Sequence, residues 1–196
     1  MDKSISRKYF NDHSEHWDET PRSTEKLQAM ADMLEISPHD RVLDVGTGTG
    51  IFLPYLSAKL DGDSLIVCVD FAINMLTIAR QKVLNEKILY VCSEIENVNF
   101  YGEVFDASVC YSTFPHFHNK EQSLKNIHHL LKPGGTLYIC HTASKEVINE
   151  IHRRIPDLQD HLIPGNKVMK NLIKTAGFKE VEIMDEEQFY LIRAEK

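Results

Sequence analysis

From residue 24 onward two apolar periodicities alternate along the chain. Leu27, Met30, Ala31 and Leu34 recur at three- and four-residue spacing, which predicts a helix over 24–36 that stops before Ser37 and Pro38. Val42, Leu43 and Val45 follow as the near-continuous apolar run of a strand buried on both faces, over 41–45. The exchange then repeats. Helices are predicted over 51–60, 72–84 and 120–131, and strands over 64–70, 88–92, 105–111 and 136–141. Lys132-Pro133-Gly134-Gly135 stops the helix before the strand at 136. The pattern predicts helix over 144–155, a loop over 156–165 and a helix over 167–176 closed by Gly177. Two short strands at 181–185 and 188–194 then pair antiparallel across Glu186 and Glu187. Such alternation belongs to an α/β domain whose mostly parallel sheet carries helices on both faces.

A length of 196 residues is enough for one well-buried domain over 1–196 and too short for two of ordinary size. The net charge of −7, with Lys and Arg scattered, leaves no basic stripe to neutralise a phosphate backbone, so nucleic acid is excluded as a partner. No run of 18 apolar residues is present, and Met-Asp-Lys-Ser-Ile-Ser-Arg-Lys lacks the apolar centre of a signal peptide. No membrane insertion and a cytoplasmic location are expected. Cys68, Cys92, Cys110 and Cys140 each fall in a predicted strand without a C-x-x-C pair, which reads as four buried free thiols.

The chemistry concentrates in Asp44-Val45-Gly46-Thr47-Gly48-Thr49-Gly50. Alternate glycines let a chain turn sharply and approach a ligand without Cβ clashes, and amides at the start of the helix predicted from Ile51 would face the same ligand. The dinucleotide fingerprint G-x-G-x-x-G requires glycine where this chain has Ile51, which weighs against a nicotinamide-dependent oxidoreductase. Asp44 would oppose a pyrophosphate but suits an ammonium group, which S-adenosylmethionine (SAM) carries. Asp70, at the end of the strand over 64–70, stands where an acid accepts the hydroxyls of a ribose. Phe71 and Met75 follow it, placed to pack on an adenine, with core packing of Met75 as the alternative.

With Leu131-Lys132-Pro133-Gly134-Gly135-Thr136-Leu137 at its expected distance, this set resembles the class I SAM-dependent methyltransferases, nearest to the branch of ubiquinone and menaquinone biosynthesis. The resemblance implies a Rossmann-like three-layer domain with a seven-stranded sheet and one antiparallel strand. It also implies SAM as cofactor, S-adenosylhomocysteine as product, and a cofactor site at Asp44, Gly46, Thr47, Gly48, Gly50, Asp70, Phe71, Met75 and Tyr111. Glu94 takes the place where the family has an Asp on the adenine amino group, with the Ile95 amide beside it. Residues 1–23, including Tyr9 and Trp17, resemble the part that folds over the cofactor in relatives, ahead of a core over 24–196.

In that family the acceptor pocket lies beyond the strand at 105–111, which implies Tyr9, Ser112, Phe114, His118 and His141 as its lining. The motifs for methylating exocyclic amines of nucleobases or glutamine and for cytosine C5 are missing from 111–118, which leaves a small-molecule acceptor. His116 stands where related enzymes carry a histidine able to take a proton from a phenol, quinol or thiol; backbone hydrogen bonding is its structural alternative. His116, His118, His141 and His152 can all approach this edge, but they show no recognised ligand spacing, so no metal is expected. The leading expectation is an enzyme that methylates a small molecule, and the alternative is a SAM-binding sensor or partner module without transfer activity.

Overall fold

A computed structural model of the chain describes residues 3–20 and 22–196. The described residues form one seven-stranded sheet in the order β3-β2-β1-β4-β5-β7-β6. The strands are β1 (Arg41–Val45), β2 (Leu65–Asp70), β3 (Ile88–Cys92), β4 (Phe105–Tyr111), β5 (Leu131–His141), β6 (Lys179–Glu186) and β7 (Phe189–Glu195). Strands β1 to β5 are mutually parallel, and β7 runs antiparallel between β5 and β6. The expected mostly parallel sheet with one antiparallel strand is therefore present. Because β1 pairs with β2 on one side and β4 on the other, the chain reverses its winding there. A crevice opens at the carboxyl ends of these strands, and the site is built in it.

The helices are α1 (Lys3–His13), α2 (Thr24–Asp32), α3 (Leu53–Ser57), α4 (Ile73–Lys82), α5 (Lys120–Leu130), α6 (Lys145–Arg153) and α7 (Asn166–Thr175). Alternate strand residues send Val42, Ile66 and Val109 into one layer with α2, α3 and α4, and Leu43, Val67 and Cys110 into the other with α5, α6 and α7. Side-chain oxygens of Ser23, Asn119 and Ser144 accept the amides of Lys26, Gln122 and Val147, satisfying donors at the starts of α2, α5 and α6. Helix α1 sits apart from both layers, with Phe10 packed against Ala72, Met75 and Leu158 over the carboxyl edge.

Three expectations need correction. The helix over 51–60 is only five residues, Leu53–Ser57, with Pro54 its second residue. Turns occupy Ile51 and Phe52 behind Gly50, and Pro54, which has no amide to donate, sits in the first helical turn where that amide would have no helical partner. The helix over 24–36 ends at Asp32, although Leu34 and Ile36 remain buried. Cys68, Cys110 and Cys140 are buried, but Cys92 is exposed because it ends the edge strand β3.

Candidate cofactor and acceptor site

The loop after β1 is held from below by hydrogen bonds. Gly46 N–H donates to the Val69 carbonyl at 2.7 Å, and Gly50 N–H donates to the Thr47 carbonyl at 3.0 Å. Asp70 at the end of β2 accepts the Gly48 amide at 2.8 Å on one oxygen and the Ala72 amide at 2.9 Å on the other. Its carboxylate therefore shapes the loop as well as facing the crevice. Gly46 has φ +69°, and a Cβ there would meet Thr113 Oγ1 at 1.9 Å, whereas at Gly48, with φ +57°, a Cβ would meet nothing within 4 Å. The first glycine is required by the protein itself, and the second borders open space.

Burial raises both acids of this loop. Asp70 is pushed up to about 6. Asp44 is pushed up to about 7 by burial, with nearby Asp70 adding to the rise and the Thr47 hydroxyl opposing it. Asp44 is 3% exposed, pairs across the sheet with Cys68, and is not on the cavity wall. It stands at the base of the glycine loop, where the Thr47 hydroxyl donates to its main-chain carbonyl at 3.2 Å.

Two connected hollows open above the loop. A chamber of about 510 Å³ is bounded by Gly46 to Thr49, Tyr111, Ser112, His141 and His152, and is roofed by Tyr9, Phe10 and Trp17. A recess of about 50 Å³ lies between Phe71, Glu94, Ile95 and His118. Gly46, Asp70, Phe71, Thr113 and His116 border both. Met75 borders the chamber and is 1% exposed, packed with Phe10 and Leu158. Tyr111 stacks on Phe52 with centroids 4.4 Å apart, and its hydroxyl lies 3.2 Å from Thr142 Oγ1.

The acceptor-side expectations divide. Ser112 and His141 border the chamber, with Ser112 Oγ 3.4 Å from His141 Nδ1. Ser112 adopts φ +56°, a left-handed conformation uncommon outside glycine and found at functional turns. Phe114 is fully buried in the core beside Phe117 and does not reach the chamber, because the 3-10 turn over Phe114–His116 points it inward. His118 borders the small recess near Glu94 instead of the chamber.

Glu94 is engaged by the protein itself. Lys3 Nζ and Arg7 Nη2 each donate to it at 2.8 Å, and Lys3 also pairs with Glu96. At the other end of the segment, Thr49 Oγ1 donates to Asp18 at 2.8 Å, and Asp18 pairs with Lys82. Residues 3–18 thus cross the crevice and are fixed at the recess and at the glycine loop. Of the segment 1–23, Met1, Asp2 and Pro21 lie outside the described residues.

His116 lies at the centre of an imidazole group that sequence spacing brings together only in part. Its Nδ1 is 2.9 Å from Nδ1 of His161, its ring centroid is 5.0 Å from that of His152, and Phe10 meets it edge-on. His116 is half-buried and borders both hollows. Burial, then the neighbouring His152, His161 and His141, and Lys120 lower its pKa well below the usual histidine value. Burial likewise lowers His141 to about 3, His161 to about 4, and His152. These are neutral imidazoles at pH 7. Among the described residues no group of three His, Cys, Asp or Glu side chains is placed to hold a metal ion. His161 and Asp18 were not expected here. The first lies in an irregular loop and the second in a turn, where no periodicity marks a side chain's direction.

A family model described as a methyltransferase domain matches residues 43–139, which carry the glycine loop, Asp70, Glu94 and His116. The chain belongs to the class I SAM-dependent methyltransferases. It is 33% identical over 107 residues to a ubiquinone/menaquinone biosynthesis C-methyltransferase of Wigglesworthia glossinidia brevipalpis, covering 53% of this chain and 43% of that protein. It is 26% identical over 157 residues to a malonyl-[acyl-carrier protein] O-methyltransferase of Priestia megaterium, covering 78% and 56%. The chain therefore spans about half the length of these curated relatives. In fold it matches a SAM-dependent methyltransferase of Thermotoga maritima with TM-score 0.76 and 21% identity, over 98% of this chain and 99% of that one.

SAM, the cofactor of this methyltransferase family, fits the site on structural grounds. The chamber falls within the usual few-hundred to 1,000 Å³ of small-molecule sites, and the space above Gly48 admits close approach of a ligand to backbone.

Proposed function

We propose that this methyltransferase transfers the methyl group of SAM to a small-molecule acceptor inside the chamber. The observation that carries the reading is the continuity of one cavity from the glycine loop to the histidine group under the roof of α1. The loop at Gly46, Thr47, Gly48 and Gly50 would bind the methionine end, and Asp70 the ribose. Phe71, Glu94 and Ile95 would receive the adenine in the recess. Asp44 supports the loop from beneath, and Tyr111 closes the chamber floor.

When bound, SAM supplies an activated methyl on a cationic sulfur. The protein's task is alignment, which is worth effective molarities of about 10⁵ M or more when two reactants are held in attack geometry. Residues 3–18 exclude water through Phe10, Tyr9 and Trp17. Ser112 and His141 face the acceptor, and His116 presents a neutral imidazole at the junction of the two hollows. The two curated relatives methylate carbon and oxygen by name, so the likeness leaves the acceptor atom open. The same reading takes the enzyme to be cytoplasmic and its substrate diffusible; no helix among the described residues is long and apolar enough to cross a membrane.

The test is incubation with methyl-labelled SAM and a cell extract separated into small-molecule, protein and nucleic-acid fractions. Label in the small-molecule fraction is expected. Label in the protein or nucleic-acid fraction would overturn the acceptor class, and tight SAM binding without any label would favour a silent sensor.

A further inference from the structure

His152 has its proton placed by the fold. Its Nδ1 lies within hydrogen-bond distance of the His161 carbonyl oxygen, and a carbonyl only accepts. Nδ1 must therefore carry hydrogen, and in the neutral ring Nε2 is then the bare, basic nitrogen. The same contact in His116 is undetermined, because its Nδ1 faces a second imidazole Nδ1 and either can donate.

The partner carbonyl is itself fixed. Asn149, one helical turn before His152, is buried and makes two hydrogen bonds to the loop: its Nδ2 donates to the Ile163 carbonyl at 3.0 Å and its Oδ1 accepts the Ile163 amide at 2.8 Å. The His161 amide donates to the Leu158 carbonyl at 2.8 Å. Helix α6 and the loop over 156–165 are thereby held in register, and His152 borders the chamber from α6.

We propose that His152 is the general base that takes the acceptor's proton, with the His161 carbonyl and Asn149 as the groups that set its tautomer and position. The assignment rests on the methyl-transfer reading above. With an acceptor X–H, the X lone pair forms the X–CH₃ bond, the electron pair of the methyl–sulfur bond returns to sulfur, and the X–H proton passes to His152 Nε2. One positive charge leaves sulfur and one appears on the imidazole, so the chamber gains no net charge. The imidazolium keeps its Nδ1–H on the His161 carbonyl, a hydrogen bond that strengthens once the donor is charged. Burial lowers the pKa of the ring and keeps it neutral until then, against the opposing effect of the hydrogen bond to the His161 carbonyl.

The experiment has two independent arms. Two-bond ¹⁵N–¹H correlation spectra of histidine-labelled protein, assigned by comparison with His152→Asn, are expected to show His152 as the Nδ1–H tautomer at pH 7.5. An Nε2–H tautomer or an imidazolium would overturn the proposal without reference to activity. In the labelled-extract assay, His152→Asn retains an amide donor near Nδ1 but has no base. It is expected to keep SAM affinity within about two-fold and to lose about 10²-fold or more of transfer. Transfer within three-fold of wild type would overturn the assignment. Absence of transfer in the wild type would instead reject the functional reading, leaving the spectroscopic result to decide the tautomer.

Discussion

Gly46 and Thr113 approach so closely that a Cβ on Gly46 would sit 1.9 Å from the Thr113 hydroxyl oxygen and 2.4 Å from its Cβ. The loop after β1 is thus locked against the turn after β4, across the point where the sheet reverses its winding. Gly48, two residues on, has comparable backbone conformation but no neighbour for a Cβ. Alanine at Gly48 should cost only the left-handed backbone, about 1–2 kcal/mol, or roughly 2–8 °C of melting temperature in a chain of this size. Its methyl would enter the space assigned to SAM, so affinity by calorimetry should fall by more than ten-fold. Gly46→Ala should lose far more stability as well as binding. Equal thermal losses in the two variants would show that Gly48 also has a structural partner.

The ion pairs of Lys3 and Arg7 with Glu94 fix α1 over the recess, yet the two cationic side chains are nearly half exposed. Exposed pairs contribute about 0–1 kcal/mol each, so Lys3→Ala with Arg7→Ala should shift the melting temperature by only a few degrees. Local opening should change much more, because these contacts connect α1 to the recess. Faster cleavage of the amino-terminal segment under limited proteolysis and faster SAM release in stopped flow are the expected readouts. Unchanged rates in both would place the hold on α1 in Phe10 and its apolar neighbours.

The parallel core was legible in the sequence because buried strands and amphipathic helices carry distinct periodicities, and β1, β3 and β4 lie at the positions predicted. The glycine loop was legible because its residue types answer a backbone demand. Side-chain direction in irregular segments was not. Phe114, expected to line the acceptor pocket, turns into the core, and His118 turns to the recess, since one 3-10 turn over 114–116 decides both. Glu94 was matched to adenine through the family resemblance, and its pairing with α1 depends on a contact 91 residues away. His161 enters the site through its carbonyl as well as its ring, and a backbone group leaves no mark in a sequence.

Cys92 separates from the other cysteines by lying at the outer edge of the sheet. A small thiol reagent should modify one cysteine of the native protein and all four after denaturation. Peptide mapping should place the native label on Cys92. Modification of Cys68, Cys110 or Cys140 at a comparable rate would mean that the strands open far more readily than their burial allows.

Asp44 provides a stability signature that can be separated from every other titrating group. Its carboxyl rises from 3.8 to about 7 on folding, so between those values the folded state holds a proton that the unfolded state has released. The contribution is fully present below 3.8 and is lost as pH rises through about 7. Asp70 acts in the same direction up to about 6. His141 and His161 act oppositely: their folded values of about 3 and 4 lie below the usual 6.5, so their stabilisation is present above 6.5 and lost as pH falls. The wild-type profile sums these terms, and the comparison with Asp44→Asn isolates one. Asparagine has similar shape and does not ionise, so the cofactor-free variant should match wild type near pH 4. It should then melt progressively higher than wild type as pH rises toward 7, with the difference constant above that. A difference that stays flat from pH 4 to 8 would mean that Asp44 is ionised throughout, and therefore that a cation or donor reaches it beneath the loop.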